Sequence, residues 1–451
     1  MWVEVRIQYN EMRKSVPPIA IILFYSIILF IHTSCSGDAI VPIEDPNSGE
    51  IPGEPHNTPT ETGILAADYI QNLDKGFDVT WSEFTKFMEL YNEQVVIDFK
   101  AAGFTNVRIR IGDDIVDQQL MDRLKEQVHD CLRHGIYPII AYQGHYLEDL
   151  ATSDEDAKTH LVNWWKNIAE EFKGDSDMLA FDILVEISGA YKTDYQFINS
   201  AYADVLAVIR ETNPTRIVIF PPVNLSNPNY LQYLEVPGTD DPYTLVEWHF
   251  YAAGPSKDPS NKKYWLDGST LQERKNITDP IRTAVDWMQK TGYKTWVGAW
   301  MAGNYNKGNE YTLPEQVMFA SFMVRELAKE HIPWSVNAGN KYYDYENQTW
   351  YTKTADAAGM PVRDVILDPD KIAIYPEDNY EGNPVRMAPG NYDSQQLQGL
   401  QIKSLMIPFD YQVKLYSESG FKGTEKIVNT TSENLDNFTV NSLKVLNLNS
   451  Y

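Results

Sequence analysis

Short apolar runs alternate with amphipathic helical stretches through most of this chain, and this alternation restricts the possible folds more than any other feature. The runs have the length of buried strands, and the stretches between them carry apolar residues at helical spacing. Eight such units predict an α/β fold, a (β/α)8 TIM barrel, with its functional site at the carboxyl ends of the strands. An open doubly wound sheet is the alternative, but no glycine-rich phosphate loop follows the first run. The predicted strands are 76–81, 106–111, 137–142, 179–186, 216–220, 244–251, 294–299 and 331–336, and the predicted helices are 85–102, 117–134, 157–172, 195–211, 271–290 and 314–330.

The fourth predicted strand is an apolar run that ends in a carboxylate, Glu186. Alternation along a strand places Asp182, Leu184 and Glu186 on one face. A carboxylate where a buried strand meets its loop is held rigidly and stays open to substrate, as acid–base chemistry requires. Partial burial and the like charge of Asp182 predict a raised pKa for Glu186 and the role of a general acid. A strand-end glutamate that only meets water or pairs with an arginine is the simpler alternative.

Polar side chains also stand on or after five further predicted strands. Burying so many polar groups costs about several kcal/mol unless they bond to one another, so a shared site explains them better than packing does. These side chains are Arg108, Arg110, Asp113 and Asp114 at the second strand, Gln143 and His145 at the third, Glu247, His249 and Tyr251 at the sixth, Trp300 at the seventh, and Asn337 and Asn340 at the eighth.

Six segments carry a more specific signal: GFTNVRIRI (103–111), GIYPIIAYQGHYLED (135–149), FDILVEIS (181–188), VEWHFY (246–251), KTWVGAWMAG (294–303) and IPWSVNAG (332–339). They resemble strands two, three, four, six, seven and eight of glycoside hydrolase family 5, within a clan of retaining barrel enzymes. The resemblance implies action on a polysaccharide or oligosaccharide, with Glu186 as acid/base. It also implies matches to the family's arginine at Arg108, to its second paired histidine at His145, and to its His-x-Tyr pair at His249 and Tyr251.

The departures from the family pattern bear on the mechanism. Ala299 stands where the family has its nucleophilic glutamate, and Val185 stands where an asparagine precedes the acid/base. Gln143 replaces the first paired histidine, and Asn337 replaces a sugar-stacking tryptophan. A retaining glycosidase needs two carboxyl groups about 5 Å apart, and an alanine cannot attack. The resemblance therefore implies the family's barrel scaffold with Glu186 as acid/base, but it does not imply the family's retaining mechanism.

Three functions stay open at this point. The first is altered cleavage chemistry, either inverting hydrolysis or elimination beside a uronate. The second is a pseudo-glycosidase that binds glycan without turnover, and the third is a structural or adhesion protein with a vestigial barrel mouth. For inversion, the base is Asp113, Asp114 or Glu247; for elimination, Tyr251, His249 and Arg108 supply the base and the cation. The predicted catalytic residues are Glu186, Tyr251 and His249, and the predicted substrate-binding residues are Arg108, Gln143, His145, Glu247, Trp300 and Asn337.

The first 35 residues have the pattern of a secretory signal. Two basic residues precede an apolar run at 19–31, which is too short to span a membrane, and small residues lead to Cys35. The segment resembles a bacterial lipoprotein signal with Cys35 as the lipidated residue, although His32 replaces the usual aliphatic residue. It predicts a secreted lipoprotein anchored to the outer membrane or cell surface; an ordinary signal peptide is the alternative. Residues 36–62 predict a flexible linker.

Charge and cysteine usage exclude some partners. A net charge of −25 argues against nucleic acid, because phosphate recognition needs a basic surface. Cys131 lies in an amphipathic helical pattern and is predicted to be a small buried hydrophobic residue. We predict no metal and no cofactor, and no motif identifies the sugar.

The C-terminal part has a different composition, and we predict a barrel over 63–376 followed by a small all-β Greek-key sandwich over 377–451. Its pattern resembles βγ-crystallin domains, in which a glycine permits a tight hairpin. The run at 437–442 departs from the calcium-binding pattern of such domains, so weak or no calcium binding is predicted. The residues that carry this resemblance are Tyr416, Phe421, Gly423 and Ser442.

Overall fold

Eight parallel strands close into a barrel in the computed structural model of the protein, with β1 paired to both β2 and β8. The predicted TIM barrel is thereby confirmed and the open sheet is excluded. The structure describes residues 63–83, 85–114, 117–251, 265, 270–303, 311–351 and 362–449, so the predicted signal, linker and Cys35 lie outside it. The strands are β1 Lys75–Ser82, β2 Asn106–Ile111, β3 Tyr137–Tyr142, β4 Ala180–Asp182, β5 Ile217–Phe220, β6 Thr244–His249, β7 Thr295–Trp300 and β8 Trp334–Asn337.

Helices follow the strands on the outside of the barrel. The single helix predicted over 85–102 is wrong: the Asn92 side chain accepts a hydrogen bond from Gln94 N (2.9 Å), and a second helix begins there. The helices are α1 Ala66–Leu73, α2 Thr85–Leu90, α3 Gln94–Ala102, α4 Gln118–Arg133, α5 Asp154–Glu171, α6 Tyr195–Thr212, α7 Leu271–Thr291, α8 Leu313–Lys329 and α9 Arg363–Leu367, with shorter helical turns at Tyr146–Leu150, Gly189–Tyr191, Val223–Ser226, Pro228–Tyr233, Gly339–Lys341 and Asp378–Tyr380. Cys131 is fully buried in α4.

The amino-terminal end of the barrel is closed by α1. Its buried residues Tyr69, Ile70 and Leu73 pack with apolar strand residues such as Ile217 and Trp296 in one cluster. This end of the barrel is thus filled by packed side chains, and the opposite end, where the strands end and the loops begin, is the one that holds a cluster of charged side chains. Within the described residues, no helix is long and apolar enough to cross a membrane.

Strand β4 is shorter than predicted, so Glu186 lies in the irregular segment that follows the strand. After Asp182 the backbone stays bonded to both neighbouring strands, with Ile183 N donating to Ile219 O (3.1 Å) and Val185 N to Tyr142 O (2.8 Å). Glu186 itself has a positive φ of 50°, so regular alternation does not extend to it. A non-glycine residue in this conformation is uncommon and is frequent at functional sites.

Small antiparallel sheets follow the barrel and share an apolar cluster that includes Ile372, Leu405, Val413 and Leu443. Two short strands, β9 Tyr343–Asp344 and β10 Thr349–Trp350, pair before them. The three-stranded sheet has the order β12-β11-β14 and the four-stranded sheet the order β13-β17-β15-β16. These strands are β11 Ile372–Tyr375, β12 Val385–Met387, β13 Gly390–Tyr392, β14 Ser404–Met406, β15 Tyr411–Glu418, β16 Lys422–Val428 and β17 Ser442–Asn447.

Three of the four residues that carry the crystallin resemblance lie in the four-stranded sheet, and Phe421 lies in the turn between β15 and β16. The rings of Tyr416 and Phe421 meet edge to face at 5.9 Å, and Ser442 Oγ accepts a hydrogen bond from Phe421 N (3.0 Å). Gly423 has φ 76°, and a Cβ there would lie 2.4 Å from Ser417 Oγ, so a side chain is excluded at this position. The crystallin-like identity and the absence of calcium binding stay predictions.

The sheets also contact the barrel. Phe409 packs against Trp265 and Phe322, its backbone N–H donates to Ser321 Oγ (2.8 Å), and its carbonyl accepts from Arg325 Nη2 (2.5 Å). Its side chain belongs to the same buried cluster as the barrel core. The boundary at 376 stays a prediction, but the chain beyond it completes part of the barrel's packing.

Removal of 377–451 is therefore expected to destabilise the barrel. The deletion takes away both strands that flank β11 and uncovers the apolar surface under Phe409. The shorter protein should melt at a lower temperature than the full chain or aggregate, as measured by circular dichroism and light scattering. Phe409→Ala is the milder matched change and should cost about 3–5 kcal/mol. An unchanged melting temperature after deletion would show that the barrel folds independently.

Candidate active site

A histidine between two glutamates forms the centre of the barrel mouth. His249 Nδ1 lies 2.9 Å from Glu186 Oε1, and its Nε2 lies 3.0 Å from Glu247 Oε2. Its other neighbour is Gly298 on β7, where a Cβ would lie 1.8 Å from Glu247 Oε2 and 2.8 Å from His249 Nε2. Glycine at 298 thus makes room for the histidine and the β6 carboxylate. Burial opposes a charged His249, but Glu247 and Glu186 raise its pKa to about 9.

Glu186 is held as an anion, which corrects the expected raised pKa. Burial acts to raise its pKa, but the hydrogen bond and charge of His249, with the charges of Arg108 and Arg110, bring the pKa below its ordinary value. Asp182 does not add the expected repulsion, because Arg108 Nε bonds its carboxylate at 2.7 Å. The Glu186 side chain keeps about a third of its surface exposed (34%), so it faces both the network and the mouth.

Arg108 is the centre of a buried charge cluster beneath Glu186. Its guanidinium contacts Asp182 (2.7 Å), Glu247 (3.1 Å) and Asp78 (3.8 Å), and its side chain has no exposed surface. Glu247 is equally buried, with one oxygen on Arg108 and the other on His249. The prediction that Arg108 and Glu247 bind substrate is therefore wrong: both are enclosed, and they position His249 and through it Glu186.

A second polar chain runs beside this cluster, from β8 to the end of β1. Asn337 Nδ2 donates to Asp78 Oδ2 (2.7 Å), Arg110 contacts Asp78 and Glu83 (3.0 Å each), and Gln143 Nε2 donates to Glu83 Oε1 (3.1 Å). Burial raises the pKa of Glu83 to about 7, against the lowering charge of Arg110. The mouth thus holds one carboxyl group kept ionised and another that takes up a proton near neutral pH.

The other residues predicted for the site lie outside these two networks of buried polar side chains. Trp300 has no exposed surface and packs against Phe319 and Trp334, so it offers no face to a sugar and its predicted role is wrong. Asp114 accepts hydrogen bonds from Tyr142 OH and Tyr146 N (2.9 Å each) on the helix side of β3, and Asp113 is exposed. His145 is half-buried in the loop after β3, and Tyr251 is half-buried just beyond β6.

Three residues of the mouth were missed from the sequence: Asp78, Glu83 and Lys341. A carboxylate directly after the first predicted strand was a usable signal for Glu83, because it stands at the same barrel end as Glu186. Lys341 ends the helical turn after β8 and gave no pattern to recognise. Among the described residues, no group of three or more His, Cys, Asp or Glu side chains is placed to hold a metal ion.

Curated relatives match parts of the chain. Endoglucanase H of Acetivibrio thermocellus is 34% identical over 189 residues, which cover 40% of this chain and 20% of that protein. Endoglucanase C of the same organism is 22% identical over 206 residues, covering 42% of this chain and 57% of that protein. The chain therefore spans less than two thirds of either relative.

Solved structures share the barrel. Endoglucanase Cel5A from Thermotoga maritima superposes with a TM-score of 0.55 at 20% identity, over 64% of this chain and 97% of that one. A broad-specificity endoglucanase from Clostridium longisporum superposes with a TM-score of 0.58 at 18% identity, over 68% of this chain and 98% of that one. These likenesses support the fold.

The model of the cellulase family matches residues 73–342, more than half of the 451 residues. The chain therefore belongs to the cellulase family, glycosyl hydrolase family 5.

Proposed function

We propose that this protein cleaves a β-linked glucan-type polysaccharide, with Glu186 as the catalytic carboxylate working in its ionised form. The observation that carries the proposal is the Glu186–His249 pair at the barrel mouth, with its partly exposed carboxylate. Family membership supplies the reaction class, the opening of an O-glycosidic bond. The names of the relatives supply the substrate class, since those proteins are endoglucanases.

The chemistry proposed differs from the retaining mechanism. That mechanism needs an attacking carboxylate beside the acid. Ala299 lies on β7, and the family resemblance implies that it stands in the place of that carboxylate. Glu247 does not replace it, because both of its oxygens are engaged and its side chain is fully buried. An ionised Glu186 suits a base that activates water in an inverting hydrolysis. Burial raises the pKa of Glu83 to about 7, which suits a proton donor, but the Glu83 side chain is almost as enclosed as that of Glu247, so it donates a proton only if its bonds to Arg110 and Gln143 open.

Product analysis tests this proposal. The full chain should be incubated with soluble β-1,4-glucan, β-1,4-mannan and a uronate-containing chain, and the products analysed by mass spectrometry and by early-time NMR of the new reducing ends. Shortened chains with inverted anomeric configuration support the proposal. Retained configuration would contradict the role of Glu186 as base, and unsaturated products would replace hydrolysis by elimination.

A second candidate function is glycan binding without turnover. Two observations favour it: Ala299 on β7 and the lowered pKa of Glu186, which removes the proton that a general acid must carry. Binding without products on every glycan of the panel would support this candidate. In that case Glu186→Gln should leave glycan affinity unchanged.

The proposed place of action is the outer membrane or cell surface, through a lipid on Cys35. The basis is the sequence pattern of the first 35 residues. Wild-type protein from a lipoprotein-processing bacterial host should partition into detergent, and Cys35→Ala should move it to the aqueous phase. Mass spectrometry of the mature amino terminus measures the modification directly. An unmodified wild-type terminus would contradict the anchor.

A further inference from the structure

We propose that Glu148 is a positioning residue for the catalytic carboxylate: its side chain fixes the segment after β4 and thereby holds Glu186 against His249. The inference rests on the proposed function, in which Glu186 acts at the barrel mouth, and deepens it by naming what keeps Glu186 in place. Glu148 is assigned no contact with substrate and no proton transfer.

The backbone at Glu186 depends on support from its neighbours. Its φ of 50° lies in the left-handed region, which is unfavourable for a residue with a side chain unless surrounding contacts impose it. Regular strand pairing does not impose it, because β4 ends at Asp182. The direction in which the Glu186 carboxylate points is therefore set by the contacts of the residues on either side.

Backbone hydrogen bonds supply two of these contacts. Before Glu186, Val185 N donates to Tyr142 O at the end of β3 (2.8 Å). After it, Ile187 O accepts from Leu225 N in the turn that follows β5 (3.0 Å). Both bonds join main-chain atoms, so a side-chain substitution does not remove them. A test of the support therefore has to address a side-chain contact.

Glu148 provides that side-chain contact. Its Oε1 accepts hydrogen bonds from both the N–H (2.7 Å) and the Oγ (2.5 Å) of Ser188, which follows closely after Glu186. Hydrogen bonds to a carboxylate are shorter and stronger than those between neutral groups. The next residue, Gly189, has a φ of 61°, and a Cβ there would lie 2.6 Å from Glu148 O, so the two loops approach too closely to allow a side chain. The carboxylate thus fixes Ser188 at short range.

The turn that carries Glu148 is itself anchored. Tyr146–Leu150 is a single π-helical turn, a rare conformation that is frequent at functional sites. At its start, Tyr146 N donates to Asp114 Oδ1 (2.9 Å), and the Tyr146 ring stacks on His160 with 3.8 Å between ring centroids. Because His160 belongs to α5, the turn is bound to the outer layer of helices, and Glu148 holds the Glu186 segment against a fixed support.

The first test follows His249 and needs no turnover. Contact with Glu186 is one of the causes that raise the pKa of His249 to about 9. If Glu148→Ala frees the segment, Glu186 spends less time against the imidazole, and the pKa of His249 should fall by about half a unit or more, a part of the ~1–3 units that one opposite charge contributes. NMR titration of the full chain with isotope-labelled histidine measures the change, and the signal that is absent from His249→Asn identifies the residue.

The second test is kinetic, on the β-1,4-glucan of the proposed function. Glu148→Ala should lower kcat about 10- to 100-fold and leave KM within about twofold, because a displaced reacting group costs rate rather than substrate affinity. Glu148→Gln keeps an acceptor oxygen at the same reach without the charge, so its rate should be intermediate, and it serves where the alanine variant does not fold. In a Ser188→Ala background the effect of Glu148→Ala should shrink, since their shared contact is already weakened.

A matched glutamate serves as the control. Glu155 is exposed in the first turn of α5, and Glu155→Ala should match wild type in both tests. Melting temperatures show that each variant is folded. An unchanged His249 titration in Glu148→Ala would overturn the inference whatever happens to the melting temperature, because Glu148 would then be a structural residue only. In an active enzyme, an unchanged kcat would overturn it as well, as would a rise in KM that accounts for the whole loss.

Failure of the proposed function gives a different result. A wild type that cleaves no glycan removes the proposed reaction, and the His249 titration alone then decides whether Glu148 holds Glu186. An active wild type with an unchanged titration in Glu148→Ala removes the inference and keeps the proposed function.

Discussion

Glu186→Gln is expected to lower the rate of glycan cleavage by about 100- to 10,000-fold, the usual contribution of a positioned acid or base. The amide keeps the size of the side chain and removes the charge that faces the mouth. Affinity for the glycan should change little, because about two thirds of the side chain is covered and its bound oxygen contacts His249 rather than a ligand site. Initial rates and binding constants for the two proteins, measured on the same polymer, check both parts.

The pH dependence of the wild type separates a base from an acid at this position. The pKa of Glu186 is lowered, so its ionised form persists as the pH falls and is lost only below the ordinary carboxyl range. The pKa of His249 is about 9, so above that pH the histidine loses its proton and Glu186 loses its cationic partner. Activity should therefore persist as the pH falls toward the ordinary carboxyl range, decline above about pH 7 as the proposed donor Glu83 loses its proton, and fall further above about pH 9. Activity that declines between pH 4 and 6 as the pH rises would assign Glu186 the role of an acid.

A matched carboxylate serves as the control for this substitution. Asp113 is exposed after β2 at the same end of the barrel, and it was one of the bases considered from the sequence. Asp113→Asn should leave the rate within about twofold of wild type. If Asp113→Asn is the inactive variant, the base is Asp113 and the inference from the Glu186–His249 pair is wrong. Equal rates for wild type and Glu186→Gln would remove Glu186 from the mechanism.

The barrel could be predicted because strand length and helical periodicity can be recognised within short stretches of consecutive residues. The bounds of β2 and β3 coincide with the predicted 106–111 and 137–142. The predicted length of β4 was too great. Residues 183–185 are as apolar as a strand, but the regular strand ends at Asp182 and Glu186 has a positive φ. An apolar run indicates that residues are buried, and the residues after Asp182 are buried like those of the strand. It does not indicate where the backbone leaves the strand conformation.

The site was predictable only in part, because depth along a barrel strand is not visible in the sequence. Glu186 and His249 were predicted at one barrel mouth, where they contact each other, and their catalytic roles stay predictions. Arg108 and Glu247 also lie on interior faces, but one layer lower, where they neutralise each other. A charged residue that contacts substrate and one that is enclosed beneath it lie on the same face of a strand, so alternation along the strand does not distinguish them. Their roles depend on register between strands, which the closed sheet fixes and a single strand does not.

Arg108→Met is expected to lower the free energy of unfolding by about 3–5 kcal/mol, the range for removing one partner of a buried ion pair. The loss is large because the guanidinium contacts three enclosed carboxylates, of Asp78, Asp182 and Glu247, and methionine leaves them without that cation. Urea unfolding of the full chain, followed by tryptophan fluorescence, measures the change. Arg123→Met removes the exposed i,i+3 pair with Glu126 on α4 and should cost no more than about 1 kcal/mol.

The destabilisation by Arg108→Met should also depend on pH. In the wild type, Arg108 and His249 outweigh burial and lower the pKa of Glu247, so this group contributes stability above its unfolded pKa that is lost as the pH falls through the folded pKa. Without Arg108, burial dominates and the folded pKa rises, so the folded variant takes up protons that the wild type does not. Lowering the pH from 8 to 5 should therefore narrow the difference in stability between variant and wild type. A difference that stays constant over this range would show that lost packing of the arginine side chain, rather than unpaired buried charge, causes the destabilisation.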